Sequence, residues 1–273
     1  HDTATLLLSC GIACTLVLAG IYLTIIQNRA LKLAEERVSF VNQVSHELGT
    51  PLTNILLNLD LAGRATENRP VEARRRLKLV DEEVRRLSRL VANVLTFSRG
   101  ERKALDLHPR EFIPDVAVAE VLSQFEAALE RAGITVEFSG GAEDRFHGDP
   151  DAFSQIVCNL ISNVEKYAAS GGWVGIETTQ ADGRLRIRVS DAGPGVPARA
   201  RARIFEAFER VSDGVAEGAS GTGLGLAIGR DLAARMGGTL VLENSEIGAA
   251  FILELPAPER TSALKLLPPI TAA

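Results

Sequence analysis

Cysteine is scarce in this sequence, which contains only three cysteines among its 273 residues. Cys10 and Cys14 lie in an apolar run, and Cys158 lies in a hydrophobic helical pattern. No Cys-x-x-Cys pair and no histidine cluster accompanies them, which disfavours a zinc site or a disulfide framework. The chain must therefore be stabilised by a hydrophobic core, which its 46% of hydrophobic residues can supply.

The sequence also lacks an excess of positive charge, since 35 acidic residues outnumber 30 lysines and arginines and give a net charge of −5. This balance provides no general electrostatic reason to bind nucleic acid, so we expect no nucleic-acid partner. No G-x-x-x-x-G-K-[ST] stretch is present, which excludes a P-loop, and the strand–glycine–helix order of a Rossmann site is also missing.

Charge of either sign is absent from residues 4–27. An uncharged apolar helix of this length can span a bilayer, so we predict a transmembrane helix here. A buried core helix and a signal peptide are the alternatives, but the run is long for a signal peptide and no basic segment precedes it. Three basic residues follow within a short juxtamembrane linker at 28–37, which predicts an inner (cytoplasmic) membrane protein with its C-terminal part in the cytoplasm. Because the chain begins with His1 rather than Met, we expect it to be a fragment.

Residues 38–99 show two helical patterns of apolar residues at steps of three and four. The first comprises Val41, Val44, Leu48, Leu52, Ile55 and Leu59, and the second comprises Leu77, Val80, Val84, Leu87, Val91 and Val94. Residues 65–70 separate the two patterns, and Pro70 suits the start of a helix. We predict a helical hairpin that pairs with a second copy, as a homodimer, in a four-helix bundle.

Residues 107–256 alternate like strands in five places and are helical in three others. The strands are expected at 134–138, 172–180, 185–191, 238–245 and 249–256, and the helices at 115–133, 149–168 and 224–238. This order predicts an α/β sandwich, followed by a flexible tail at 257–273. The chain is thus expected to be a multi-domain protein.

A histidine and a glutamate, His46 and Glu47, are adjacent in the first helical pattern, and Pro51 follows inside the same helix. The helical wheel places His46 opposite the apolar stripe, with Thr50 one turn later on the same side. A lone histidine there could be only an exposed polar residue. The neighbouring carboxylate and the proline, which loosens this turn, favour a reactive imidazole that another domain approaches.

Three stretches of the α/β region suggest a nucleotide site. Asn159 and Asn163 share one helix face and offer carboxamide oxygens, which suit Mg²⁺. Asparagines on a helix face are, however, often polar residues with no binding role. The stretch "SDAGPGV" ends a strand in a glycine turn, which could equally be ordinary. "GASGTGLGLAI" places free N–H groups before a helix, where phosphate binds, but a single glycine-rich turn is weak support.

Taken together, five stretches resemble, in order and spacing, the H, N, G1, F and G2 boxes of the sensor histidine kinases of two-component systems. They are "FVNQVSHELGTPLTNI", "GDPDAFSQIVCNLISNVEKYA", "DAGPGV", "RIFEAFERV" and "GASGTGLGLAI". The resemblance covers roughly residues 35–256. It implies a dimerisation and histidine-phosphotransfer domain followed by a Bergerat-type ATP-binding domain, with ATP and Mg²⁺ bound and a response regulator receiver domain as partner.

The resemblance also implies roles for individual residues. His46 would accept the γ-phosphoryl group of ATP with Glu47 as acid/base partner, in keeping with the nucleophilicity of a neutral imidazole. Thr50 would position a water that hydrolyses the aspartyl-phosphate of a bound regulator; alternatively, it bonds only a carbonyl one turn back. Asn163 would bind Mg²⁺. The implied nucleotide contacts are Asn159, Asn163, Lys166, Tyr167, Asp191, Gly193, Gly195, Phe205, Phe208, Arg210, Gly221, Thr222, Gly223, Leu224 and Gly225.

Two positions depart from the family pattern. Gly49 stands where a basic residue is common, and Val164 stands where alanine is usual. The alternative function is an ATP-binding signalling scaffold, or an ATPase of the gyrase and MutL type, without phosphotransfer. The adjacent His46 and Glu47 argue against it.

Overall fold

The computed structural model describes the backbone of residues 2–65, 69–101, 106–209 and 222–257. Within the first two helices, the side chains of residues 2–17, 29–40, 43 and 99–101 lie outside this description. The chain forms two units, His1–Thr50 and Pro51–Ala273.

The first helix, α1, extends over Asp2–Ala65 with Pro51 inside it. The segment predicted as a linker at 28–37 is helical, because it contains no glycine or proline and is rich in alanine, leucine, arginine and glutamate. The predicted membrane span at 4–27 falls in the same helix. None of the helices, over the residues that the structure describes, is long and apolar enough to cross a membrane.

Helix α2, Pro70–Glu101, begins at the proline that the sequence marks as a helix start. It packs against the end of α1, where Ala62 and Ala73 are buried. Between the two helices, the Nδ2 of Asn54 donates to Oε1 of Glu83 at 3.2 Å. These contacts confirm a helical hairpin. Much of its apolar surface is exposed in the single chain, including Leu52, Leu56, Leu59, Leu77, Val84 and Val91.

The remaining elements form an α/β region. Its helices are α3 (Pro114–Arg131), α4 (Pro150–Tyr167) and α5 (Gly225–Arg235), and its strands are β1 (Arg110–Phe112), β2 (Thr135–Ser139), β3 (Phe146–Gly148), β4 (Trp173–Ala181), β5 (Arg184–Asp191), β6 (Thr239–Glu243) and β7 (Ala250–Pro256). The helical region followed by an α/β sheet region is as the sequence predicts. The three-residue strands β1 and β3, which form an antiparallel pair, were not predicted.

The main sheet has five strands in the order β2-β4-β5-β7-β6. Strands β2 and β4 are parallel and the other pairs are antiparallel. Strand β5 shows how one face is buried: Leu185, Ile187 and Val189 are buried, while the arginines between them point away from the core. Alternation with a period of two separates an apolar face, which the helices cover, from a charged face.

Helix α4 is the central helix of this core. Pro150 occupies its first turn, and the Asp149 side chain accepts hydrogen bonds from the backbone N–H groups of Asp151 and Ala152, both at 2.9 Å. Such a cap contributes about 0.5–2 kcal/mol. Further along the helix, Phe153 and Ile156 are fully buried. The polar side chains of Asn159 and Asn163, one turn apart on the remaining face of this helix, are therefore held at fixed positions.

Candidate functional site

His46, the predicted phosphoacceptor, is exposed on helix α1, whereas the adjacent Glu47 is buried. The two side chains leave the helix about 100° apart, as adjacent helical residues do. Thr50 directs its hydroxyl to the backbone carbonyl of His46, at 3.4 Å. This bond is long and is the local contact that the alternative interpretation of Thr50 expects.

Asp191 ends strand β5 and is one of the predicted nucleotide contacts. Its Oδ1 accepts hydrogen bonds from the backbone N–H groups of Gly193 at 2.9 Å and of Ala249 at 3.2 Å. Burial raises the pKa of the Asp191 carboxyl, and these two hydrogen bonds oppose the rise. Because no donor in the described part of the chain contacts Oδ2, this oxygen can accept a hydrogen bond from a ligand.

The main chain before strand β7 packs directly on this carboxylate. Gly248 has a φ of +65°, and a Cβ placed on it would lie 1.8 Å from the backbone oxygen of Asp191. Gly195 is also left-handed, and its Cβ would lie 2.7 Å from the oxygen of Gly248. Only glycine fits these close approaches. Gly248 and Ala249 are not among the residues predicted from the sequence; the signal that could have found them is a glycine directly before a predicted strand.

Helix α4 passes close to both the turn at Gly193 and the start of helix α5. A Cβ on Gly193 would lie 3.0 Å from the carbonyl oxygen of Tyr167, at the end of this helix. A Cβ on Gly225 would lie 3.5 Å from Cγ of Asn159, two turns earlier. At 1.5 Å per residue, Asn159 and Tyr167 are separated by about 12 Å along the axis. This length fits an extended ligand with an adenine at one end and phosphates at the other.

Asn159 and Asn163, two of the predicted nucleotide contacts, lie one turn apart on helix α4. The Nδ2 atoms of both are buried, and neither has an acceptor among the described residues. A buried amide donor without a partner is costly, and a phosphate oxygen would satisfy it. The carboxamide oxygen of Asn163 is also a suitable hard ligand for Mg²⁺. The donor set therefore fits a magnesium–phosphate group.

At the end of α4, Lys166 is half-buried and Tyr167 is 40% exposed. Both follow Asn163 on the same helix. Their positions allow contact with a ligand that extends from Asn163 toward Asp191.

Two of the predicted site stretches, around Phe208 and around Gly223, are joined in the structure. The backbone N–H of Phe208 donates to the carbonyl of Gly223 at 3.1 Å, and both residues have positive φ, +69° and +68°. Phe205 is buried and contacts Phe251 of strand β7, with the ring centroids 6.3 Å apart. Thr222 and Leu224 are also buried. Of the predicted site, Arg210 and Gly221 lie outside the described residues.

Two family models match this chain. Residues 36–103 match the His Kinase A (phospho-acceptor) domain, and residues 148–259 match the histidine kinase-, DNA gyrase B- and HSP90-like ATPase. Two matched relatives are the sensor histidine kinase RcsC of Escherichia coli, 32% identical over 83% of this chain, and the sensor histidine kinase WalK of Bacillus subtilis, 35% identical over 84%. The chain spans 24% and 38% of the lengths of these relatives.

Solved structures of histidine kinases also match this chain. The histidine kinase AdeS of Acinetobacter baumannii is 25% identical, with a TM-score of 0.55, over 78% of this chain and 98% of that one. Full-length ShkA in complex with AMPPNP is 29% identical, with a TM-score of 0.54, over 80% of this chain and 45% of that one.

Proposed function

Because this chain belongs to the sensor histidine kinases of two-component systems, we propose that it transfers the γ-phosphoryl group of ATP to His46 and then to an aspartate of a response regulator. The observation that carries this proposal is the set of polar groups along helix α4, in a chain that also presents an exposed histidine on α1. The acceptor Asp191 lies near one end of this helix, and Asn159 and Asn163 carry amide donors that have no acceptor among the described residues.

In this proposal, Oδ2 of Asp191 accepts a hydrogen bond from the adenine amino group. The buried Nδ2 groups of Asn159 and Asn163 donate to phosphate oxygens. Mg²⁺, held by the carboxamide oxygen of Asn163, would neutralise phosphate charge when bound. The role of these residues is to position the γ-phosphoryl group, since phosphoryl transfer depends chiefly on positioning and charge stabilisation.

The transfer itself requires a nucleophile and a proton acceptor. A ring nitrogen of His46 forms the new bond to phosphorus as the bond to the ADP oxygen breaks, and Glu47 receives the ring proton. Thr50 serves a separate, dephosphorylating reaction, in which it holds a water that hydrolyses the regulator's aspartyl-phosphate. Its hydroxyl stands one turn from His46, on the exposed face of α1.

We further propose that the protein works as a homodimer. Leu56 and Leu59 of α1, and Val84 and Val91 of α2, are each more than 40% exposed in the single chain. A second hairpin would bury these side chains in a four-helix bundle, at about 1.5–3 kcal/mol for each one fully buried.

Residues 4–27 are proposed to anchor this dimer in the inner membrane, because the run is uncharged and basic residues follow it. The anchor is tested by fractionation. The full chain should stay in carbonate-washed membranes, and a variant without residues 1–27 should not. A full chain that the wash removes would contradict the proposed anchor.

Incubation with γ-labelled ATP and Mg²⁺ tests the kinase proposal. Label should enter the protein in an acid-labile, base-stable form, and His46→Gln should bind ATP without incorporating label. Steady release of ADP by both proteins with no label in either would instead identify an ATPase without phosphotransfer.

A further inference from the structure

Arg201 bridges two turns that reach Asp191 from different parts of the chain. Its Nε donates to the carbonyl oxygen of Val196 at 3.1 Å, and its Nη1 donates to Oδ1 of Asn244 at 2.6 Å. Val196 lies in the glycine turn that follows strand β5, and Asn244 is the first residue after strand β6. A guanidinium suits this bridge, because its N–H donors point in fixed directions and one side chain can hold two acceptors at once.

The two turns are in direct contact beside Asp191. Gly195 precedes Val196, and a Cβ on Gly195 would lie 2.7 Å from the backbone oxygen of Gly248. Gly248 in turn packs on Asp191, since its Cβ position is 1.8 Å from the Asp191 backbone oxygen and 2.8 Å from Oδ1. Close-packed groups of this kind leave no free space, so a shift of one turn displaces the other. Arg201 thus ties together two segments that meet at Asp191.

The turn between β6 and β7 leads from Asn244 to the Asp191 carboxylate within a few residues. It is braced by the hydroxyl of Ser245, which donates to the carbonyl oxygen of Ile247 at 2.5 Å. Ala249 follows, and its N–H donates to Oδ1 of Asp191 at 3.2 Å while its carbonyl accepts from the Asp191 N–H at 2.9 Å. A shift at Asn244 therefore reaches the N–H that holds Oδ1, and with it the direction of Oδ2.

The backbone of Arg201 is anchored independently of the two turns. The N–H of Ile204 donates to the carbonyl of Ala200 at 3.0 Å, and the N–H of Ala200 donates to that of Pro197 at 2.8 Å. Ile204 is buried, as is Phe205, which packs on strand β7. The Arg201 side chain itself is exposed. Because water competes for exposed donors, we expect the bridge to have a moderate effect, equal to about one net hydrogen bond.

We propose that Arg201 is a positioning residue of the ATP site, which fixes the two turns so that Oδ2 of Asp191 points toward the adenine amino group. The inference rests on the ATP site proposed above and adds to it Arg201 and Asn244, which lie outside all five family-like stretches. Arg201 does not touch the nucleotide in this proposal. Since it acts on the adenine contact alone, its loss weakens the binding of every adenine nucleotide by the same factor, whatever the number of phosphates.

The first test is the affinity for AMPPNP and for ADP, each with Mg²⁺, on the full chain. Arg201→Ala should weaken the binding of both about fivefold, the factor expected for one net hydrogen bond. Arg201→Lys keeps the charge but lacks the planar fork, and should weaken both about twofold. Arg184→Ala is the control, because this exposed arginine pairs with Glu254 at the opposite end of β5 and should leave both affinities unchanged. Wild-type affinity in Arg201→Ala, or a loss for AMPPNP without an equal loss for ADP, would overturn the proposal.

The second test is a double-mutant cycle with Asn244→Ala. This variant removes one acceptor of the bridge and should weaken both nucleotides about threefold. The variant with both Arg201→Ala and Asn244→Ala should be no weaker than Arg201→Ala alone, because the bridge is then already lost. Losses that multiply would contradict a shared bridge. If Arg201→Ala does not fold, Asn244→Ala decides the matter, and unchanged affinity in that variant refutes the proposal.

Asp191→Asn separates failure of this proposal from failure of the ATP site. If it does not weaken AMPPNP binding, the placement of the ATP site is wrong. If it weakens binding while Arg201→Ala and Asn244→Ala leave the affinity unchanged, the site stands and only the role of Arg201 is refuted.

Discussion

Substitution of Gly248 by alanine should damage the proposed adenine contact at Asp191 far more than the small size of the added methyl group suggests. The new Cβ would lie 1.8 Å from the backbone oxygen of Asp191 and 2.8 Å from its Oδ1. Both distances are below any normal contact, so the Gly248 backbone has to move. The next residue, Ala249, would be carried with it and would lose its hydrogen bond to the Asp191 carboxylate.

The left-handed backbone alone costs about 1–2 kcal/mol for a residue with a Cβ. Loss of a hydrogen bond to a charged group adds about 1.5–3 kcal/mol. We therefore expect Gly248→Ala to lower the free energy of unfolding of the α/β region by roughly 2.5–5 kcal/mol. AMPPNP affinity should fall at least tenfold, because the acceptor for the adenine is displaced.

Gly133→Ala is the matched control. Its φ of +69° is nearly that of Gly248, and no atom lies within 4 Å of its Cβ position. It should therefore show only the backbone cost of about 1–2 kcal/mol and leave AMPPNP affinity unchanged. Urea unfolding followed by the fluorescence of Trp173, the one tryptophan in the sequence and part of β4, reports on this region directly. Equal loss of stability in the two variants, or wild-type affinity in Gly248→Ala, would refute the reasoning.

Three further outcomes are expected at the other site residues. Asn163→Asp places a carboxylate beside the phosphates and should abolish labelling with the dimer intact, as size-exclusion chromatography can show; labelling at the wild-type rate would remove Asn163 from the site. Burial raises the pKa of Asp191 above its ordinary value of 3.8. As the pH is lowered, Asp191 should therefore become protonated, and AMPPNP affinity should begin to fall, at a higher pH than for an ordinary aspartate. The folded state also binds this proton more tightly than the unfolded chain, so the contribution of Asp191 to stability decreases as the pH rises from 3.8 through the raised pKa; a titration that Asp191→Asn leaves unaltered would assign the effect elsewhere. Thr50→Ala should keep most autophosphorylation and lose most phosphatase activity toward the phosphorylated regulator, whereas equal losses would mean that the hydroxyl only supports the helix through the His46 carbonyl.

The order of the elements could be predicted because each long element has a strong local pattern. Strands β4 and β5 alternate with a period of two, and Pro70 marks the start of α2. The pair β1 and β3 was missed because three residues are too few for a periodic pattern. Their pairing joins segments more than thirty residues apart, for instance Phe112 with Phe146.

The candidate site was predictable where a motif carries its own geometry and not where distant segments meet. Asp191 and Gly193 lie within one turn, so their hydrogen bond follows from local sequence. The bond from Ala249 to the same carboxylate depends on the sheet order, in which β7 adjoins β5. The hydrogen bond between Arg201 and Asn244 joins positions 43 residues apart and depends on how two turns meet, which no local pattern encodes.

The most direct test of the account is to locate the phosphoryl group after reaction with γ-labelled ATP. The chain contains four histidines, of which only His46 lies in the tryptic peptide 38–64. We predict that acid-labile label is confined to this peptide and disappears in both His46→Gln and Asp191→Asn. Label on a peptide that contains His108 or His147, or label that persists in His46→Gln, would contradict the assignment of His46 as phosphoacceptor.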